Sequence, residues 1–155
     1  MKKVLLILVA IIGFGTCANA QKAYSSTSEL AQGFFQMMKN FSKTSKKEFV
    51  DNFFPVISEL RTLQSNAKDF DVNRKDIEDI YDAIKTFSYE ESVVWQDVTF
   101  VKYEIGDYPE KAANITFNKA SIAVQNRGPE IGIGFSYYEF KGKYYLFFIR
   151  GIGYR

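Results

Sequence analysis

Residues 131–153 read IGIGFSYYEFKGKYYLFFIRGIG, with eight aromatic residues between Phe135 and Phe148. Two runs of β-branched and aromatic residues split by Lys141-Gly142 make a β-hairpin. Side chains alternate along a strand, so a one-residue slip exchanges the two faces. A two-residue turn at Lys141-Gly142 opposes Phe140 to Lys143 but asks Lys141 for a positive φ. A three-residue loop, Phe140-Lys141-Gly142, opposes Glu139 to Lys143 and leaves Gly142 alone in the left-handed position of a bulged turn. The backbone argument favours the second register.

In that register one face collects Ile131, Ile133, Phe135, Tyr137, Tyr145, Phe147 and Ile149. This set is nearly all apolar and reads as ordinary core. The other face collects Gly132, Gly134, Ser136, Tyr138, Tyr144, Leu146, Phe148 and Arg150. Its glycines leave a low floor, and glycine within a strand often marks a bend or a close approach by something else. An aromatic patch there must be covered by the domain itself, by a second subunit or by a ligand. The candidate binding residues are therefore Gly132, Gly134, Tyr138, Tyr144, Phe148 and Arg150.

Upstream the texture changes from period two to helical stripes. Apolar residues at Leu30, Phe34, Met37, Met38 and Phe41 share one helical face. Ser26 with Glu29, and Ser45 with Glu48, carry the capping-box spacing that satisfies orphan amides at a helix start. Pro55 predicts a kink or restart in the second helix, since it cannot donate to the helical ladder. Ile77, Ile80, Tyr81, Ile84 and Phe87 define a third helix over 74–87. Strands are expected at 94–105, 113–124, 130–139 and 143–152. The first two switch apolar parity, at Val98/Phe100 to Val101/Tyr103 and at Phe117 to Ala120, as a β-bulge would cause. An extra turn at Asn118-Lys119 is the alternative for the second switch.

Helices first and strands last give an α+β domain: three N-terminal helices on one face of a curved antiparallel sheet of four to five strands. The helical stripes at 30–41, 49–63 and 77–87, followed by the closing hairpin YYEFKGKYYLFFI, resemble the nuclear transport factor 2-like (cystatin-like) superfamily. The resemblance implies helices packed on a curved sheet with a cavity between them. In some members a cavity aspartate and a tyrosine donor do acid–base chemistry. Here Asp97, Glu104, Tyr103 and Tyr137 could supply such groups, although their spacing does not distinguish them from ordinary sheet residues.

The chain opens with Lys2 and Lys3, an apolar run over 4–14 and Ala18-Asn19-Ala20, the layout of a cleaved secretory signal. Residues 1–20 are expected to be removed, leaving one domain over 21–155, exported to a periplasm or secreted. The competing reading is lipidation of Cys17, but Thr16 and Phe14 stand where a lipoprotein signal usually has a small residue and leucine. Loss of Lys2 and Lys3 lowers the 20 basic residues to 18, equal to the 18 acidic ones. Electrostatic attraction to nucleic acid is then unsupported. The only cysteine leaves too, and the chain has no histidine. A mature domain without either residue has no thiol nucleophile, imidazole base, disulfide or usual zinc ligand. At roughly 135 residues it can bury about two-thirds of its unfolded surface and stand on its core alone.

Several motifs have plainer explanations. Asp69, Asp71 and Asn73 match three positions of a calcium loop, but Arg74 and Ile80 replace its obligatory glycine and glutamate. Asp71 or Asn73 capping the third helix explains them better. Ser65–Lys68 lacks the companion motifs of serine–lysine acyl transfer. Tyr81 and Lys85 lack a dinucleotide fingerprint, and Tyr81 lies on the apolar stripe. The basic cluster from Lys43 to Lys47 reads as a solvated loop. Asn114-Ile115-Thr116 matches a glycosylation acceptor.

These features describe a small exported non-catalytic domain, without cofactor or membrane span, that engages a protein partner, a second copy or a small apolar ligand. A carboxylate–tyrosine cavity enzyme is the alternative. A third reading is an inhibitor or immunity protein of an envelope enzyme, acting through the loop GDYPEKA.

Overall fold

The computed structural model describes residues 22–53, 73–106, 109–112 and 115–155. Helix α1 (Thr27–Lys39) begins where Ser26 Oγ accepts from the Glu29 amide at 3.1 Å. Glu29 reaches back to the Ser25 amide rather than to Ser26. Helix α2 (Lys46–Phe53) starts with the reciprocal pair at Ser45 and Glu48. Helix α3 (Arg74–Glu90) is closed by a capping box between Asn73 and Asp76. Asn73 and Asp76 thus cap the start of this helix. Pro55, Ser65, Lys68, Asp69 and Asp71 lie outside the described residues, as do Cys17, Asp107, Tyr108 and Asn114.

Each helix buries the stripe its sequence carries. Phe34, Met38, Phe49, Phe53 and Ile84 are almost inaccessible. Tyr81 packs on Phe41 and Phe49 while its hydroxyl donates to the Thr44 carbonyl at 3.0 Å. Lys46 reaches Asp82 at 2.7 Å, linking α2 to α3. The basic cluster therefore sits at a helix junction.

The sheet is antiparallel, with β1 (Thr99–Ile105), β3 (Ile115–Gln125), β4 (Glu130–Phe140) and β5 (Lys143–Tyr154) in that order. A short β2 (Glu110–Ala112) also pairs with β3. The first strand starts later than expected because Trp95–Asp97 form a 3-10 turn. There Trp95 is buried and its indole donates to Ser88 Oγ at 2.7 Å. The bulge in β1 is present, at Val101. No bulge or turn interrupts β3 at Asn118-Lys119, where pairing with β4 runs without a shift. The parity switch arises because opposite ends of β3 are buried on opposite faces. Ile115 and Phe117 pack away from the helices, whereas Ala120, Ile122 and Val124 pack against them.

The hairpin register also differs from expectation. Phe140 pairs with Lys143, and both Lys141 (φ 50°) and Gly142 (φ 69°) turn through positive φ. This is the two-residue geometry whose twist matches that of the strands, and the left-handed lysine is tolerated to obtain it. Tyr144 and Leu146 consequently face the helices, while Tyr145 and Phe147 turn to the far face. Register shifts opposite Ser136/Tyr137 and Gly134/Phe135 then rephase β5 twice: the first brings Ile149 to the helix side, and the second restores the original alternation, with Ile152 facing the helices.

A strap completes the helix side. Tyr24 bridges Tyr144 through two backbone hydrogen bonds of 2.9 and 3.0 Å. Its ring lies over Gly33 of α1, where any Cβ would overlap it. Burial pushes the Tyr24 hydroxyl pKa up.

Two substitutions test this arrangement. Lys141→Asn should stabilise the protein by about 0.5–1 kcal/mol, because asparagine tolerates the left-handed region better. The urea midpoint should rise with an unchanged slope; a fall would contradict the two-residue turn. Gly33→Ala should destabilise the wild type by about 1–3 kcal/mol through overpacking against Tyr24. In a Tyr24→Ala background the same change should stabilise by roughly 1 kcal/mol through helix propensity. A thermal-melt double-mutant cycle shows whether the sign reverses.

Candidate functional site

The face of the sheet turned away from the helices has two unlike halves. Near the turn, Ile115, Phe117, Tyr138 and Phe147 form a second buried cluster, with Phe140, Tyr145 and Phe148 packed against it. Tyr138 stacks on Tyr145 with ring centroids 4.8 Å apart and planes within 10°. Burial pushes the Tyr138 hydroxyl pKa far up.

At the other end, Gly132 pairs with Gly153 and Gly134 with Gly151. Directly opposed residues share a face, so four glycines form one patch of bare backbone. Arg150 borders it, donating to Ser136 Oγ at 3.3 Å. Arg155 crosses the Gly132 end, where a Cβ would come within 3.1 Å of its side chain. Its guanidinium is held by Glu104 at 2.8 Å and Ser121 Oγ at 3.1 Å. A Cβ at Gly151 or Gly153 would meet nothing within 4 Å. The floor is therefore open on the β5 side and capped by a latched arginine on the β4 side.

The latch has its own electrostatics. Hydrogen bonds from Arg155 and Lys102, with their charges, lower the Glu104 carboxyl to about 2. Arg150 differs: its guanidinium donates to a serine hydroxyl, and among the described residues no carboxylate pairs with it. A carboxylate laid on the glycine floor would find this guanidinium beside it.

The six candidate residues do not stay together. Gly132, Gly134 and Arg150 meet at the floor. Tyr138 is buried in the aromatic half, and Phe148 is half-buried against both clusters. Tyr144 lies on the helix side, where it holds Tyr24. Gly151, Gly153, Ser121 and Arg155 join the site without having been picked from the sequence. Their signal was the second Gly-Ile-Gly run, but matching it to the first requires counting the two shifts in β5.

The acid–base candidates are also dispersed. Asp97 stands 3.6 Å from Arg127, and Glu104 is held by Arg155 and Lys102. Tyr103 is exposed at the edge, whereas Tyr137 is buried and its hydroxyl is pushed up to about 12, chiefly by desolvation. Among the described residues, no three Asp, Glu, His or Cys side chains gather as a metal-binding group. No described helix is long and apolar enough to cross a membrane. Compared with protein-family profiles, curated proteins and solved structures, the chain matches none of them.

The Glu104 latch predicts a pH dependence. Its folded pKa lies below the unfolded value of 4.5, so its contribution is present above pH 4.5 and is lost as pH falls towards 2. Because the group is exposed, the effect should be small and weakened by salt. Urea midpoints recorded across that window should fall less steeply for Glu104→Gln than for wild type. Parallel curves would remove the latch.

Proposed function

We propose that this chain is a small exported, non-catalytic binding domain that engages a protein partner through the glycine floor of its far sheet face. The paired glycines carry the reading. Glycine in a strand interior costs stability and packs nothing, and it suits a surface that another backbone must approach closely. Four of them facing one way, beside an arginine without a carboxylate, suit an extended segment bearing an acidic side chain. A second copy of the chain or a small apolar ligand are the other occupants of this reading. The likeness to the nuclear transport factor 2-like superfamily belongs to the same proposal and is supported by helices that precede the sheet. The cavity-enzyme alternative needs a carboxylate beside a tyrosine; the Tyr154 hydroxyl donates to Glu91 at 2.7 Å, but this pair is exposed.

The test is to fill the floor without harming the fold. Gly151 has open space above it and no positive φ, so Gly151→Val should fold, and strand propensity should raise stability by up to about 1 kcal/mol. Wild type and Gly151→Val are used as baits against the cell envelope of the source organism. A partner retained by wild type and lost at least tenfold by Gly151→Val and Arg150→Glu supports the reading. Equal capture by all three baits defeats it.

A further inference from the structure

Strand β1 ends the sheet on the side opposite β5, and its outer edge meets no other described strand. Five consecutive residues on it, Val101, Lys102, Tyr103, Glu104 and Ile105, are exposed. Three of these are large apolar side chains: Val101 is 40% accessible, Tyr103 36% and Ile105 41%. Such an edge offers unpaired backbone groups to another strand, and proteins usually blunt it with lysine or a bulge. β1 has both, in Lys102 and the bulge at Val101.

The order of these five residues alters what Lys102 does. Read outward from Tyr103, the sequence is apolar, positive, tyrosine, negative, apolar. Laid antiparallel on a second copy about a two-fold axis through Tyr103, it opposes Lys102 to Glu104 and Val101 to Ile105, twice over. An isologous contact requires this self-complementarity. Within one copy Lys102 already reaches Glu104 at 2.7 Å, and Arg155 holds the same carboxylate at 2.8 Å; across the two-fold axis each lysine meets a second acid.

The backbone phase agrees. The Gly106 amide donates inward to the Lys119 carbonyl at 2.7 Å. Antiparallel strands alternate, so Lys102, Glu104 and Gly106 direct their backbone groups at β3, whereas Tyr103 and Ile105 direct theirs outward. Two Tyr103 residues can therefore exchange both hydrogen bonds. Lys102 and Glu104 then form the closer, non-hydrogen-bonded cross-strand pairs, where side-chain charges interact best.

We infer that β1 is a homodimerisation edge, joining two copies antiparallel about Tyr103 into one continuous sheet. This inference uses a different strand edge from the glycine floor, the two surfaces sharing the Glu104–Arg155 contact. Five paired residues fall at the small end of stable interfaces, so the dimer should be weak, with micromolar or higher Kd.

The test is analytical ultracentrifugation of the purified protein up to millimolar concentration. Wild type should dimerise, and Lys102→Glu and Glu104→Lys should each weaken self-association at least tenfold through like-charge opposition. Mixing the two variants should restore a dimer containing one of each, because each acid then faces a lysine. Tyr103→Pro, which removes an outward amide and the ring but no inward hydrogen bond, should also be monomeric with an unchanged far-ultraviolet circular dichroism spectrum. A wild-type monomer at millimolar concentration overturns the inference. So does a dimer indifferent to the charge reversals, or variants that fail to pair on mixing. Gly151→Val should dimerise like wild type, which separates this result from failure of the glycine-floor reading.

Discussion

Lys141 and Gly142 both turn through positive φ, and the hairpin they close sets the phase of every side chain in β4 and β5. A two-residue turn of this kind matches the right-handed strand twist, so strand geometry outweighs the local strain of a left-handed lysine. From that turn Tyr138, Tyr145 and Phe147 go to the far face and Tyr144 and Leu146 to the helices. Two register shifts in β5 put Ile149 on the helix side, leave Ile152 there because together they cancel, and set Gly153 and Gly151 directly opposite Gly132 and Gly134. Without these shifts Gly132 would oppose Gly151 and the two Gly-Ile-Gly runs would be offset by two residues, with one glycine pair in place of two.

The same phasing lets a three-stranded core serve two layers. Near the helices, Ile122, Ile133, Phe135 and Ile149 meet Phe34 and Met38, with the Phe34 and Phe135 rings 4.4 Å apart. Behind the turn end, Phe117, Tyr138 and Phe147 form their own aromatic knot on the opposite face. Burial of apolar and aromatic surface is the main favourable term available to a chain without disulfides. Placing it on both faces lets one sheet hold more of it. The strap at Tyr24 adds to the helix layer and leaves the floor untouched.

Much of this was legible in sequence. Helix starts followed from Ser26, Ser45 and Asn73 because capping is local chemistry. The α+β order followed from the change in periodicity after Ser88, and the β1 bulge followed from its switch in parity. The failures share a cause. The parity switch in β3 implies a bulge or an extra turn only if one face is buried, whereas Phe117 and Ile122 are buried on opposite sides. Local strain alone disfavours the two-residue turn at Lys141, and twist compatibility is a property of the pair of strands. Gly132, Gly134 and Arg150 could be placed together because they are neighbours along the hairpin. Arg155 and Ser121 could not, since only the folded sheet brings them to Gly132.

The glycine pairs also give the sheet a gradient of stiffness. Around Tyr138 and Tyr145, stacked rings shield the inter-strand hydrogen bonds and resist bending. At Gly151 and Gly153 the same ladder has no side-chain shield on one face, and Arg155 covers Gly132. Local opening follows the density of buried apolar contacts, so amide protons there should exchange with solvent sooner than those behind the aromatic knot. The hairpin is thus clamped at its turn and compliant at its open end, where a visiting chain could be accommodated by flexing the backbone rather than by moving the core.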